Sequence, residues 1–332
     1  MKICICGGGS LGHVCAGVLG SRKDVSVNIL SGHPERWGNE VTVKDGEGRT
    51  YVARINAVSS SPEEVMVDQD IILLCLPGFL IEKTLNEIKP LIGNAMVGSI
   101  VSSTGFFFFA HSVLGNNAKL FGFQRVPFIA RVEEYGKTAN LLGYKKSLAV
   151  AVENIKDAEN FRFKLEELFS TPTLLLDSFY EAALTNSNPI LHTGRLYSMF
   201  FGLEESFFDH NILFYKEWTD AASEILIDMD AEFFRLLDVL GVHSILPLLT
   251  YYESSDAVSL TGKISTIPAF QSIKSPMIET PSGWKIDFNS RYFTEDFPYG
   301  LRWIRDLSTE HGIDIPVIDR VYHWGMSRLD RV

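Results

Sequence analysis

The sequence predicts an α/β chain in which a doubly wound sheet precedes an all-α C-terminal domain. Three observations predict it. A β-branched run at residues 2–6 opens into a glycine-rich turn and then a helical pattern; residues 70–76, DIILLCL, form a continuous apolar run; and from Phe179 onward helical patterns replace alternation. A strand buried on both faces by crossover helices needs a run of that second kind.

The first element carries the most chemistry. After Cys6 come Gly7, Gly8, Gly9, Ser10, Leu11 and Gly12, which read G-x-G-x-x-G at Gly7, Gly9 and Gly12. The pattern is weak by itself and gains meaning from the strand before it and the helix after it. The first glycine permits a tight turn, the second lets a pyrophosphate reach the backbone, and the third lets helix and strand pack closely. The helix N-terminus then faces the phosphates. The sheet is therefore read as Rossmann-type and NAD(P)-binding, with Gly7, Gly9, Ser10, Leu11 and Gly12 on the cofactor.

The next strand is expected at residues 25–30. An acidic residue at its end would take the free 2′-hydroxyl of NAD, but Ser31 stands there, with Arg36 close behind. Ser31 and Arg36 together suit a 2′-phosphate through charge-assisted contacts, which makes the cofactor NADP or NAD with a lean to NADP. VTVKDGEGRTYVARI reads as two strands about an Asp-Gly turn, inserted as scaffold. The run at 70–76 ends at Pro77 and Gly78, where a sheet of this type binds ligands, which puts Leu76 and Pro77 among the cofactor contacts. Further strands are expected at 98–102, 119–124 and 147–150, and Phe106 to Phe109 as a buried helix start. The domain limits follow as 1–180 for the sheet and 181–332 for the helices, with a long amphipathic helix at about 216–240 stopped by Gly241.

Composition narrows the function. The chain has 332 residues, 46% hydrophobic and 21% charged, enough for two packed domains, and its net charge of -11 argues against nucleic acid or an anionic membrane as partner. The four cysteines, Cys4, Cys6, Cys15 and Cys75, show neither C-x-x-C spacing nor a matching histidine cluster, so no metal is expected and a reducing cytoplasm is. The first twenty residues begin like a signal peptide, but glycines break the apolar region, and no stretch of about 18 residues is apolar enough to span a bilayer.

Two stretches of the helical half stand out: NSNPILH, ending on His192, and SRYFTEDFPYGL at 290–301. Hydride transfer to a carbonyl or imine needs a proton donor, which histidine supplies near neutral pH. A neighbouring carboxylate orients the ring, and a guanidinium grips a substrate carboxylate with two hydrogen bonds. His192, Asp296 and Arg291 fit these functions. Residue type alone favours plainer roles: a capping or core histidine, carboxylates that start a helix, and an arginine paired on the surface.

Along nearly its whole length the chain resembles the octopine and nopaline (opine) dehydrogenase family. GGGSLG, FGFQRVPFIAR, SNPILH, IPAFQSIKSPM, RYFTEDFPYGL and IDRVYHWG carry the resemblance in order. It implies reductive condensation of an α-keto acid with the amino group of an amino acid, using NADH or NADPH. It also implies roles: His192 as acid and base, Asp296 as its partner, Arg291 as carboxylate anchor, Gln124 as a substrate contact, and Leu76 and Pro77 beside the nicotinamide. Thr193 and Gly194 depart from it, since many relatives have proline after the histidine. A homodimer is the assembly considered. The alternatives are a keto- or hydroxy-acid reductase of ketopantoate reductase type, whose proton donor is a lysine, and a non-catalytic NAD(P) sensor.

Overall fold

β1 (Lys2–Cys6) lies at the middle of the sheet because its residues from Ile3 to Cys6 are all buried, as a strand covered on both faces requires. In this computed structural model, which describes residues 1–329, the chain forms two compact units, Met1–Thr185 and a second beginning at Asn186. The last three residues of the expected helical half, 330–332, lie outside the described residues.

The sheet of the first unit has eleven strands. After β1 come β2 (Ser26–Leu30), β3 (Glu40–Asp45), β4 (Thr50–Ser59), β5 (Ile71–Leu74), β6 (Met96–Ser99), β7 (Leu120–Phe123), β8 (Phe128–Glu134), β9 (Thr138–Tyr144), β10 (Leu148–Glu153) and β11 (Thr173–Leu175). Their spatial order is β11-β10-β7-β6-β5-β1-β2-β4-β3-β9-β8. β1 runs parallel to both neighbours, with Cys6 opposite Leu30 on one side and Leu74 on the other. That register brings the glycine turn after β1 level with the ends of β2 and β5.

Two hairpins extend the sheet. β3 and β4 pair antiparallel about the Asp-Gly turn, as the sequence suggests, but β4 also runs parallel to β2 and so belongs to the main sheet. β8 and β9, which sequence reading did not find, form a second hairpin about Tyr135 and Gly136, and β9 pairs with β3. The alternation of β8 is short and charged at its end, so its strand pattern is faint. All four cysteines are buried and free, and hydrogen bonding of Cys6 with Cys4 and of Cys75 with Cys15, together with burial, pushes the Cys6 and Cys75 thiols well above their ordinary range. They pack as small apolar groups.

The second unit is built on the helices Asn188–Phe200, Asp220–Val239, Ala257–Ser265, Arg302–Glu310 and Pro316–Leu329. To these it adds a small hairpin, β12 (Met277–Thr280) and β13 (Gly283–Ile286), turned at Gly283 with φ of 119°. Among the described residues no helix is long and apolar enough to cross a membrane.

Candidate active site

The glycine turn of the first unit is shaped by close backbone approach. Gly7 has φ of 121°, a conformation that L side chains rarely adopt, and any Cβ there would press on the Cys75 carbonyl and the Leu76 side chain. A Cβ on Gly12 would run into the Gly7 carbonyl oxygen, which fixes how tightly the helix Ser10–Gly20 sits on β1. Gly9 differs: nothing lies within 4 Å of the place its Cβ would take. Its helix has no side-chain cap, so the first-turn N–H groups of Ser10 and Leu11 are not capped from within the helix. Open space at the second glycine and uncapped donors behind it fit a dinucleotide pyrophosphate. Pro77 precedes the helix Gly78–Ile88, and Leu76, just past the C-terminal end of β5, lies beside Gly7.

At the end of β2 the structure places Ser31 differently from a free ribose contact. Its hydroxyl accepts from the Trp37 indole at 3.1 Å and the His33 N–H at 3.3 Å, and pairs with the Tyr135 hydroxyl at 3.1 Å. One donor and two acceptor sites are thereby spent on the protein's own loop. Arg36 lies over the Tyr135 ring, 4.2 Å from its centroid. Tyr135, from the hairpin that sequence reading missed, also covers Gly8, with its hydroxyl where a Cβ of Gly8 would stand. His13 completes this corner, stacked on Trp37 at 4.2 Å and accepting the Gly136 N–H at 2.6 Å through Nε2. Gln124, at the end of β7, donates its amide N–H to Thr185 Oγ1 at 2.9 Å and to the Glu181 carbonyl at 3.3 Å.

In the second unit His192 occupies the first turns of the helix Asn188–Phe200. Pro189 suits the helix start, where its missing N–H costs nothing. The helix continues unbroken through Thr193 and Gly194, the two positions that depart from the family pattern. Thr193 Oγ1 bonds back to the Pro189 carbonyl, and a Cβ on Gly194 would come within 3.1 Å of Met229 Sδ on the helix Asp220–Val239. The glycine lets the two helices approach.

Asp296 reaches His192 because glycines seat its segment. Gly300 lies against the Pro189 ring, where an added Cβ would stand 2.7 Å from Cγ, and Gly325 of the last helix gives way to the Phe297 ring. A wide turn at Phe297–Leu301, closed by the Leu301 N–H on the Asp296 carbonyl at 2.8 Å, follows the helical turn Arg291–Thr294. Asp296 Oδ2 then lies 2.8 Å from His192 Nδ1. Arg291, in the same segment, has 84% of its side chain exposed and its Nε 3.6 Å from Glu295.

A third group completes the chain. The Tyr215 hydroxyl lies 2.9 Å from His192 Nε2, so both ring nitrogens have protein partners. Burial, with Tyr292, Tyr252 and Asp296 close by, pushes the Tyr215 phenol well above its ordinary range. Its hydroxyl therefore stays protonated and donates to Nε2, while Nδ1–H donates to Asp296. Tyr292 packs on the imidazole at 4.7 Å. Sequence reading missed Tyr215, since FYKEW holds no motif. The available signal was the run of aromatics in a segment otherwise expected to be helical.

Residues 175–329 match the family model of the NAD/NADP octopine/nopaline dehydrogenase alpha-helical domain. The octopine dehydrogenase of Mizuhopecten yessoensis is 25% identical over 365 residues, covering 100% of this chain and 91% of its own. A solved octopine dehydrogenase with NADH and L-arginine superposes with a TM-score of 0.87 at 23% identity, over 99% of this chain and 90% of that one. A yersinopine dehydrogenase with NADP+ gives 0.78 at 13% identity, over 100% and 91%. With the glycine turn at the head of its sheet and the histidine and aspartate paired in its helical unit, the chain is similar along its length to octopine dehydrogenases, and its helical unit matches their helical-domain model.

Proposed function

We propose that this chain is an NAD(P)H-dependent opine dehydrogenase that joins an α-keto acid to the amino group of an amino acid. The observation that carries this reading is the 2.8 Å hydrogen bond between His192 and Asp296, two residues 104 positions apart in a unit that matches the octopine/nopaline dehydrogenase helical-domain model. Asp296 holds the ring with Nδ1 protonated, which leaves Nε2 as the nitrogen that exchanges protons with the substrate side. In the addition step a base takes a proton from the amine, and in the loss of water an acid gives one to the departing oxygen. One histidine can do both in turn.

The other roles come from the family resemblance and are consistent with where the residues lie. The exposed Arg291 guanidinium is the group for the keto-acid carboxylate, held at one side by Glu295. With the amide nitrogen of Gln124 committed to Thr185 and Glu181, its carbonyl oxygen offers an acceptor, which suits an amine N–H better than a carboxylate. Gly7, Gly9, Ser10, Leu11, Gly12, Leu76 and Pro77 would hold the cofactor, which when bound supplies the hydride. With the Ser31 hydroxyl occupied by its own loop, the lean to NADP rests on Arg36. The free, buried cysteines accord with a cytoplasmic protein.

The test follows NADH and NADPH oxidation with pyruvate or 2-oxoglutarate, each with and without a panel of amino acids, and weighs the product. Oxidation that requires both partners and yields the mass of a secondary amine is the expected result. Turnover with a keto acid alone would assign a simple reductase instead, and faster use of NADH would remove the lean to NADP.

A further inference from the structure

We propose that Tyr215 is the outer end of the proton path of His192, so that each proton His192 gives or takes crosses the Tyr215 hydroxyl. This rests on the acid–base role of His192 given above. With Nδ1 on Asp296 and Nε2 on Tyr215, the imidazole has no ring nitrogen left for a third body. A substrate must either displace the phenol or work through it.

The packing favours working through it. Tyr215 is 7% exposed, and the Phe270 ring lies 4.6 Å from its own. Arg195, one turn beyond His192 on the same helix, donates to the Phe214 carbonyl at 3.1 Å and the Glu217 carbonyl at 2.5 Å, gripping the backbone on both sides of Tyr215. The Arg195 side chain is itself buried. Helix and loop are thereby tied so that phenol and imidazole keep their register. Among the described residues the Tyr215 oxygen has no hydrogen-bond partner other than His192, which leaves it one lone pair unused.

The step balances without a free tyrosinate. In the donating direction, protonated His192 passes its Nε2 proton to the Tyr215 oxygen as the phenolic O–H breaks toward the departing substrate oxygen. The ring ends neutral, still bonded through Nδ1–H to Asp296. In the accepting direction an amine N–H proton goes to the phenol oxygen while the phenolic proton moves to Nε2. Burial of the phenol makes a separate tyrosinate costly, so the two transfers belong to one event.

Tyr215→Phe keeps the ring and removes the path. Wild type and variant are compared in single turnovers with the fastest pair among pyruvate or 2-oxoglutarate and the amino-acid panel, in mixtures of light and heavy water. We expect the variant rate to fall about 10–100-fold, with cofactor binding and melting temperature unchanged. The rate should curve with deuterium fraction in the wild type, as two protons in flight require, and become linear in the variant. A variant within two-fold of wild type, or one whose curvature persists, overturns the relay and leaves the functional reading standing. A wild type that oxidises no NAD(P)H with any pair overturns that reading and the relay with it. Nitrogen NMR of the His192 ring in the wild type needs no variant: a neutral ring protonated at Nε2 instead of Nδ1 overturns the proposal.

Discussion

In the first unit the proposed cofactor site draws mainly on backbone atoms of one short turn, between Gly7 and Gly12. In the second the proposed acid–base groups are the side chains of Asp296, His192 and Tyr215, the first and last standing 104 and 23 positions from the histidine. The first site tolerates no added carbon where backbones touch, because peptide groups cannot move aside. The second depends on three polar groups in line and on the glycines that let their elements close. A backbone site is thus broken by adding an atom, and a side-chain site by removing one.

The largest expected effect is in the second unit. His192→Ala should lower kcat/KM by about 10²–10⁴-fold, the usual worth of a positioned acid–base group. Circular dichroism and melting should show a folded protein, and near-normal turnover would place the chemistry elsewhere.

Within the first unit two glycines should behave differently. Gly12→Ala meets the Gly7 carbonyl and should cost about 3 kcal/mol in denaturant unfolding, through overpacking. Gly9→Ala meets open space and should leave stability within about 0.5 kcal/mol while weakening NAD(P)H binding about tenfold. Equal stability losses in the two variants would mean that the space over Gly9 is not reserved for a ligand.

The smallest effect separates the stability of the helical unit from its chemistry. Burial pushes the Asp230 carboxyl up to about 6, against the hydrogen bond it accepts from the Leu248 N–H. A carboxyl raised on folding binds more protons in the folded state, so stability is fullest below its ordinary range near 4 and falls as pH rises to about 6. Asp230→Asn keeps an acceptor and loses the titration. It should gain about 1–2 kcal/mol at pH 7 relative to wild type and nothing at pH 4, with the acid–base chemistry of His192 unchanged. Equal gains at both pH values would exclude ionisation as the cause.

Legibility in the sequence followed the same division. β1, the glycine turn and its helix were readable because strand, turn and helix occupy one short segment and each residue type has a local reason. β5 was readable from its apolar run. The β8–β9 hairpin was not, since its place is set by pairing with β3 rather than by its own pattern, and Tyr135 and its grip on Ser31 went unseen with it. His192 and Asp296 were singled out by residue chemistry and family resemblance, yet neither could show that the two meet.

The sequence by itself determined the order of the parts: a glycine turn between strand and helix, a parallel sheet, then helices bearing a histidine and a carboxylate. These depend on local conformational preference and on the periodicity of apolar residues, which neighbours in the chain decide. The tertiary structure alone decided that Ser31 spends its hydroxyl on Tyr135 and Trp37, that Arg291 faces outward, and that Tyr215 closes on His192. Such contacts arise where distant elements pack, and their hydrogen bonds depend on ångström distances that no local pattern encodes.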